Sequence, residues 1–470
     1  MSENAKVPLS DRTVSSARKV AWDVLTAVRE SDAYANLVLP VRIERAALTT
    51  ADAALATELT YGTLRMQGYY DRVIALASRR ETELIDPPVL TILRLGVHQI
   101  LATRIPPHAA VNESVNLTRQ IASAGATRFV NGVLRTVTRL PAEEWRERVS
   151  RSASSPEERQ SILTSHPAWI VRAYTDALRA DGRDGECDAL LAANNVPPRV
   201  TLVALPGHAR RLEGTEHTIF SPLGFTLEGG DPLPIVRDSR GTIRVQDEGS
   251  QLAALVLSRA RPVIAGERWL DMCAGPGGKA AVLAAEARLG GAEFIANEPT
   301  PSRAGLVRGT LHPIDPTIPV WERDGRDLGT QEPEGFDRIL LDAPCTGLGA
   351  LRRRPEARWR KSPRDVAELT RVQQELIDSA LAALKPGGIL VYVTCSPHLA
   401  ETRGIIQGAL ARHRASLAAM DTPAILRTIA SQSIDSATDR EDVQLWPHRH
   451  GTDAMFIAAL TRRTEGALRP

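Results

Sequence analysis

Two cysteines occupy equivalent positions near the C-terminal end of the chain, each directly after an apolar run that is typical of a buried β-strand. Cys345 follows the run 336–341 within the sequence LDAPCTG, and Cys395 follows the run 389–393 within the sequence VTCSP. If the two runs are neighbouring parallel strands, about 4.8 Å apart, both thiols open at one sheet edge and could share a substrate. A pair of thiols at such an edge favours nucleophilic chemistry over a structural role.

The residues around the two cysteines favour catalysis on a pyrimidine. C5 of cytosine is a poor nucleophile, but a thiolate that adds to C6 makes C5 enamine-like, so that C5 can attack a methyl cation equivalent. A base must then remove the C5 proton before elimination frees the enzyme. Asp342 could hydrogen-bond N3 as a neutral acid, and one thiol could be the nucleophile while the other is the base or resolving group. A lone cysteine, such as Cys187, is more often a small buried side chain.

A glycine-rich loop precedes the two cysteines. A predicted strand, 268–271, runs into the sequence DMCAGPGGK (271–279), and a helix follows. Three glycines let the backbone turn tightly and approach a ligand. Their spacing matches neither G-x-G-x-x-G nor a Walker loop, and Pro276 lacks an N–H that a phosphate cradle would use. The loop, with Asp271 at its start, therefore suits a methionine-type cationic cofactor better than a pyrophosphate. We expect Cys273 to be packed inside it.

Acidic residues also follow the next two predicted strands. Glu298 ends the run 294–298, where doubly wound folds place an acid on ribose hydroxyls. Asp324 follows the run 318–322, where an adenine amino group could be bound. Either acid alone could be a solvated loop residue. Because three successive strand ends carry an acid, a cofactor site at this edge is favoured.

A basic cluster with an interleaved tryptophan follows Cys345. Residues 352–364 contain seven basic residues and one acid, Glu356. Such a composition suits a phosphate backbone and a stacked base, although a charge run can also be a solvated surface. Its proximity to the predicted pocket favours RNA, and one base would have to flip into the pocket, which favours single strands or loops. The residues that we expect to bind RNA are Arg352, Arg353, Arg354, Arg358, Trp359, Arg360 and Lys361.

The bulk composition leaves the class of protein open but excludes several alternatives. A net charge of +2 over 470 residues means that any basic surface is local. Four cysteines without a C-x-x-C pair argue against a disulfide scaffold or a structural zinc site and favour a reducing cytoplasm. His448 and His450 lack further clustered ligands, so we expect no metal. The polar N-terminus and the lack of a long apolar run predict neither a signal peptide nor a membrane span.

The periodicity of apolar residues predicts three regions. Residues 13–140 show helical spacing, which predicts an all-α domain over 1–145. Residues 142–160 are a charged linker or exposed helix, and 155–240 a small α+β region. Strands then alternate with helices, which predicts a doubly wound, Rossmann-like α/β domain over 241–465.

Several motifs carry a family resemblance. In the C-terminal half they are RVQDEGSQLAA (244–254), DMCAGPGGK (271–279), LDAPCTG (341–347), LKPGGILVYVTCS (384–396) and QLWPHRHGTDAMFIAAL (444–460). In the N-terminal part they are ELTYGTLR (58–65) and RFVNGVLR (128–135). The former resemble RNA cytosine-C5 methyltransferases of the Nol1/Nop2/Sun class, and the latter resemble the helical RNA-binding domain of the NusB type. The combination resembles the 16S rRNA cytosine-C5 methyltransferase B family.

This resemblance implies an S-adenosylmethionine-dependent enzyme that acts on 16S rRNA or a small-subunit assembly intermediate, and we expect a cytoplasmic monomer. It implies that Cys395 attacks C6 and that Cys345 aids release of the product, with Asp342 and Lys279 as further catalytic residues. An alternative is an RNA-binding ribosome-assembly factor with an inactive methyltransferase fold; a nucleotide-dependent oxidoreductase is disfavoured because no G-x-G-x-x-G follows the first strand. The implied cofactor-binding residues are Cys273, Ala274, Gly275, Pro276, Gly277, Gly278, Lys279, Glu298, Arg303, Asp324 and Asp342.

Overall fold

A computed structural model describes residues 15–31, 33–436 and 440–464, so the polar N-terminus, for which no signal peptide is expected, lies outside the described residues. The chain divides into two compact units. One contains the chain up to Val171 together with Leu351–Arg360, and the other contains Arg172–Ala350 and the chain from Lys361 onward. Within the described residues, no helix combines the length and the apolar character needed to cross a membrane.

The first unit is helical, as predicted. The apolar faces of its helices form one core, in which Val20, Val24 and Leu59 are buried. Proline pairs begin two of the helices, where the missing N–H costs nothing. The helices are α1 (Ser16–Glu30), α2 (Ala35–Arg45), α3 (Thr50–Arg65), α4 (Gln67–Ser78), α5 (Pro87–Ala102), α6 (Pro107–Ile121), α7 (Ala124–Val137), α8 (Ala142–Arg151) and α9 (Pro156–Thr164), with a short 3₁₀ turn at Thr82–Leu84. The next helix, α10 (Ala168–Ala180), begins in this unit and has most of its residues in the second.

The charged stretch 142–160 is not a linker or a fully exposed helix. It forms α8 and most of α9, and the helical unit continues past the predicted boundary at residue 145. Trp145 is 1% exposed, and its indole N–H donates to the Val137 carbonyl at 2.9 Å. The charges of α8 therefore lie on one face while Trp145 and Val149 anchor the other face in the core.

A small antiparallel sheet begins the second unit, which confirms the predicted α+β region. Its strand order is β2-β3-β1-β4, and Leu202, Phe225 and Ile243, from three of its strands, belong to its own apolar cluster. The elements are α11 (Cys187–Asn194), β1 (Val200–Ala204), β2 (Glu216–His217), β3 (Gly224–Leu227), α12 (Leu233–Asp238) and β4 (Ile243–Val245).

A larger sheet of eight strands forms the core of the second unit. The order is β10-β12-β9-β8-β5-β6-β7, with β11 also paired to β12; the strands from β9 to β7 are parallel, and β12 is antiparallel to β9. The strands are β5 (Arg268–Asp271), β6 (Glu293–Asn297), β7 (Val320–Trp321), β8 (Phe336–Asp342), β9 (Leu384–Thr394), β10 (Leu417–Ala419), β11 (Asp442–Gln444) and β12 (Phe456–Arg462).

Helices cover both faces of this sheet, which confirms the doubly wound architecture. One face packs against α13 and α14, and the other against α18 and α19. The helices are α13 (Glu248–Arg259), α14 (Gly278–Gly290), α15 (Pro301–Leu311), α16 (Leu328–Gln331), α17 (Ala357–Arg360, within the helical unit), α18 (Pro363–Ala383), α19 (Arg403–Arg412), α20 (Thr422–Ile429) and α21 (Pro447–His450), with 3₁₀ turns at Gly325–Asp327, Leu348–Ala350 and Leu399–Glu401.

The sheet order reverses at β5, which has β6 on one side and β8 on the other. In open α/β sheets, ligands bind beyond the carboxyl ends of the strands at such a switch point. The glycine loop follows β5, and the two cysteine-containing turns follow β8 and β9. The topology therefore brings all three predicted motifs to one edge of the sheet.

Candidate active site

The two cysteines lie side by side. β8 and β9 are adjacent and parallel, with Asp342 in register with Val393, as the sequence predicts. The Sγ atoms of Cys345 and Cys395 are 3.5 Å apart, within hydrogen-bonding distance and well beyond the length of a disulfide bond. The two thiols can therefore act on the same part of a substrate while sharing a proton between them.

Hydrogen bonding and burial hold a proton on the Cys345 thiol. The hydrogen bond to Cys395, followed by burial, raises the pKa of Cys345 well above its usual value. Cys345 therefore keeps its proton at neutral pH and can donate it to the sulfur of Cys395. An S–H donor stabilises negative charge on the sulfur that accepts its hydrogen bond.

A buried ammonium group lies beside this pair. The Lys279 Nζ donates to Asp342 Oδ2 at 2.8 Å. Burial opposes the charge of Lys279, but the Asp342 carboxylate outweighs burial and raises the pKa of the lysine. The charge of a Cys395 thiolate acts on Lys279 in the same direction, so the ammonium reciprocally favours that thiolate.

Asp342 is the acid that the sequence predicts to hydrogen-bond the base. In the structure its Oδ2 accepts from the Lys279 ammonium at 2.8 Å. The role of Asp342 toward the base stays a prediction. Asp342 remains at the predicted sheet edge, where it orients the lysine.

The glycine loop has a backbone that approaches its neighbours too closely for a side chain. A Cβ on Gly275 would lie 2.1 Å from Glu298 Oε2. Arg303 also contacts both of these residues. Its guanidinium donates to the Gly275 carbonyl at 2.8 Å and lies 3.4 Å from the Glu298 carboxylate. Gly277 has φ of +108°, a conformation that other residues rarely adopt.

An acidic side chain lies under this loop. Asp271 is 1% exposed, and among the described residues neither of its carboxyl oxygens has a hydrogen bond of normal geometry. Burial, with the charge of Asp342 adding to it, raises the pKa of Asp271 to about 8. A buried acid in this state is a site where a bound cation would be favourable.

The remaining predicted cofactor residues lie around the same edge. Cys273 is partly exposed at its surface, yet burial of its thiol and the nearby Asp271 raise its pKa well above the usual range, which fits the packing role expected for it. Asp324 follows β7 and pairs with Arg326 at 2.6 Å, so this ion pair lowers the pKa of Asp324. Asn297 was not predicted, although its buried side chain bonds the Met272 and Arg323 carbonyls.

The predicted RNA-binding cluster is placed differently from the expectation. Leu351–Arg360 belongs to the helical unit. Arg358 is fully buried, with its guanidinium donating to the carbonyls of Arg65 (2.8 Å) and Ser165 (3.1 Å). Arg352 is also buried, at 6% exposure. Both guanidinium groups are buried in this structure, and RNA contact by Arg352 and Arg358 stays a prediction.

Other residues of the cluster are divided between packing and solvent. Arg360 donates to the carbonyls of Val28 and Ala33 in the helical unit. Trp359 is 38% exposed, and its ring packs so closely on Gly68 that a Cβ there would lie 2.4 Å from it. Arg353, Arg354 and Lys361 are intermediate or exposed, and their RNA contact stays a prediction.

The fold and the glycine loop define a class. The sheet is Rossmann-like with one antiparallel strand, and the glycine loop lies at its switch point. Beneath the loop lies Asp271, a buried acid with a raised pKa. This arrangement suits a cationic nucleoside cofactor. The close backbone approach at Gly275 and the buried Asp271 fit S-adenosylmethionine. The cofactor would be held by residues of the glycine loop, Glu298 and Asp324. The second unit is therefore an S-adenosylmethionine-dependent methyltransferase.

Comparison with known proteins identifies the family. Residues 262–461 match the family model for the 16S rRNA methyltransferase RsmB/F, and residues 15–139 match the NusB family model. The chain belongs to the RsmB/F methyltransferase family and carries a NusB-like domain, as the sequence motifs predict.

Relatives cover almost the whole chain. A Mycobacterium tuberculosis protein described as a methyltransferase is 46% identical over 462 residues, covering 96% of this chain and 98% of the relative. The ribosomal RNA small subunit methyltransferase B of Pseudomonas putida is 32% identical over 407 residues, covering 84% and 89%. The crystal structure of PH0851 has a TM-score of 0.77 and 20% identity, covering 98% of this chain and 100% of that chain, which shows a shared fold.

Proposed function

We propose that this protein methylates C5 of a cytosine in 16S ribosomal RNA through a covalent bond between Cys395 Sγ and C6. The observation that carries the proposal is the 3.5 Å contact between the two thiols, with the Lys279 ammonium beside them. A 16S rRNA substrate rests on the family and on the name of the Pseudomonas putida relative.

The first step uses the thiolate of Cys395. Its electron pair forms the S–C6 bond, the C5–C6 double bond is polarised toward C5, and Lys279 is placed to donate a hydrogen bond or proton at N3 as charge develops there. When bound, S-adenosylmethionine supplies an electrophilic methyl group. The glycine loop, Glu298 and Asp324 would hold the cofactor so that this methyl group could reach C5.

The second step restores the aromatic base. A general base takes the C5 proton, the C–H electron pair reforms the C5–C6 double bond, and the S–C6 pair returns to Cys395. The Cys345 thiol lies 3.5 Å from this sulfur and keeps its proton, so it is placed to hydrogen-bond the leaving thiolate. Cys345 therefore aids product release rather than attack.

The other regions serve RNA docking in this proposal. Docking is assigned to the helical domain predicted at 1–145 and to the region 155–240. The chemistry is assigned to the methyltransferase domain predicted at 241–465. Arg354 is exposed, and Trp359 presents part of its ring, so these two keep their proposed role in guiding a strand.

Trapping the covalent intermediate tests the mechanism. Cys345→Ser and Cys395→Ser are each incubated with 16S rRNA and S-adenosylmethionine and run on a denaturing protein gel. A slowly migrating RNA adduct with Cys345→Ser alone supports Cys395 as the nucleophile. An adduct with Cys395→Ser alone reverses the roles, and no adduct with either variant, despite cofactor binding, favours the assembly-factor alternative.

A further inference from the structure

A buried glutamate contacts both cysteine-containing turns at once. Glu401 lies at the end of the 3₁₀ turn after β9 and is fully buried. Its Oε1 accepts the backbone N–H of Thr346, the residue after Cys345, at 2.8 Å. Its Oε2 accepts the hydroxyl of Ser396, the residue after Cys395, at 2.6 Å.

Further hydrogen bonds complete this arrangement. The Thr346 hydroxyl also donates to Glu401 Oε2 and lies 3.2 Å from the Ser396 hydroxyl. Gln373 of α18 donates to Glu401 Oε1 at 3.3 Å and to the Pro344 carbonyl at 2.8 Å. The residues on both sides of Cys345 and the residue after Cys395 are thus held by one network.

The number of donors explains why this position holds a carboxylate. One N–H, two hydroxyls and one amide point at Glu401, and two carboxylate oxygens together accept four hydrogen bonds. Ser396 and Thr346 are buried as well, so losing Glu401 would remove the carboxylate acceptor from buried donor groups of both turns. Both turns would then be able to shift independently.

We propose that Glu401 is a positioning residue that sets the distance and direction between the Cys345 and Cys395 sulfurs. The inference rests on the proposed two-cysteine function. Attack on C6 needs the Cys395 sulfur in a near-attack position, and release needs the Cys345 thiol within hydrogen-bonding distance of it. A misplacement of about 1 Å at a reacting atom costs on the order of 100-fold in rate.

Two substitutions separate positioning from charge. Glu401→Ala removes all four acceptor contacts. Glu401→Gln keeps the shape and one oxygen for the Thr346 and Gln373 donors, while its NH₂ group faces two hydroxyls that can turn to accept from it. In a Cys345→Ser background, the alanine variant should form the RNA adduct about 100-fold more slowly, and the glutamine variant should stay within about 10-fold of the background.

The hydrogen bonds from Glu401 to the two cysteine-containing turns can be removed one at a time. Ser396→Ala releases the turn of Cys395 and should slow adduct formation. Thr346→Val releases the hydroxyl contact of the Cys345 turn and should slow product release, so that adduct accumulates with both cysteines present. In each variant, the KM for RNA and the Kd for S-adenosylmethionine should stay unchanged while kcat falls. These two variants carry the test if Glu401→Ala does not fold.

Glu248 provides a matched control. It is also a buried glutamate of the second unit, and it accepts the backbone N–H groups of Phe220 at 2.6 Å and Ser221 at 2.7 Å, away from the cysteine turns. Glu248→Gln should lower thermal stability and leave kcat unchanged. A comparable loss of kcat in this variant would mean that Glu401 acts through general stability.

A second measurement needs no RNA and separates this inference from the proposed function. Diamide oxidises two thiols to a disulfide and is itself reduced to a hydrazine, and mass spectrometry follows the Cys345–Cys395 link. The sulfurs must approach from 3.5 Å to about 2.05 Å. Oxidation should be about 10-fold slower in Glu401→Ala than in the wild type and near normal in Glu401→Gln.

The outcomes distinguish the two claims. If Cys345→Ser forms no adduct, the covalent mechanism fails, and the diamide rates alone decide whether Glu401 positions the sulfurs. If the adduct forms and Glu401→Ala changes neither its rate nor the diamide rate, the positioning role is overturned. If Glu401→Gln is as impaired as Glu401→Ala, the carboxylate charge matters and a role in positioning alone is overturned.

Discussion

The buried carboxyl group of Asp271 leads to a prediction about stability and pH. Burial, with the Asp342 charge, raises its pKa from 3.8 to about 8 in the folded protein. A raised pKa means that folding favours the protonated form. The contribution of Asp271 is therefore fully present below about pH 4 and is lost as the pH rises to about 8.

The perturbation is Asp271→Asn, which replaces the titrating group with a neutral amide of similar shape. Between about pH 5 and pH 7.5, the folded wild type binds about one proton more than the unfolded chain. Its free energy of unfolding should then fall, relative to the variant, by about 1.4 kcal/mol per pH unit. Over this window the difference should change by about 3 kcal/mol.

Urea unfolding without cofactor measures this difference, and subtracting the two proteins cancels the titration of every other group. Asp315→Asn is a matched control, because the Thr317 hydroxyl and backbone N–H lower the pKa of that loop carboxyl. The contribution of Asp315 is lost only as the pH falls through its lowered pKa, so the control should run parallel to the wild type in this window. Parallel profiles for Asp271→Asn and the wild type would refute the argument.

Two further predictions use matched pairs. Gly275→Ala places a Cβ 2.1 Å from Glu298 and should weaken S-adenosylmethionine binding about 10-fold or more in calorimetry, whereas Gly309→Ala, with open space around its Cβ, should bind normally. Arg358→Ala removes two buried hydrogen bonds and should destabilise the helical unit by about 2–4 kcal/mol in thermal unfolding, while Arg354→Ala at the surface should change stability by less than about 0.5 kcal/mol. Equal affinities for the two glycine variants, or equal stabilities for the two arginine variants, would contradict these assignments.

The sequence predicts well which motifs meet at one sheet edge, because each motif is tied to a strand. Strands of a parallel sheet are buried on both faces and therefore appear as continuous apolar runs. The runs before Cys345 and Cys395 are of this type, and the structure places them as β8 and β9, side by side. The position of a residue directly after such a run then determines its place at the edge.

Short elements escape this reasoning. β10 and β11 have three residues each, too few to show a period of two, and both pair with β12 at the side of the sheet away from the glycine loop. α20 is also short, and its apolar residues are recognisable only because Leu426 and Ile429 pack into the core. Local pattern is weak in these elements, and tertiary packing decides their structure.

The basic cluster shows a different limit of sequence-based prediction, because arginine can either bind RNA or pack within the protein. A guanidinium group binds a phosphate or a carbonyl oxygen with the same N–H groups. Composition around Trp359 therefore cannot separate an RNA surface from a segment that packs into the helical unit. Arg358 bonds carbonyls 293 and 193 residues away in the chain, and no spacing rule reaches that far.

The same argument applies to the positioning of the thiols. The candidate catalytic residues are recognisable because their chemistry is rare, and two cysteines in polar turns stand out in any chain. Glu401 has no such signature, because glutamates are common and its partners Thr346 and Gln373 lie 55 and 28 residues away. A group that acts by accepting four hydrogen bonds is defined by where its donors are, so the residues that position a site become visible only when the folded arrangement is known.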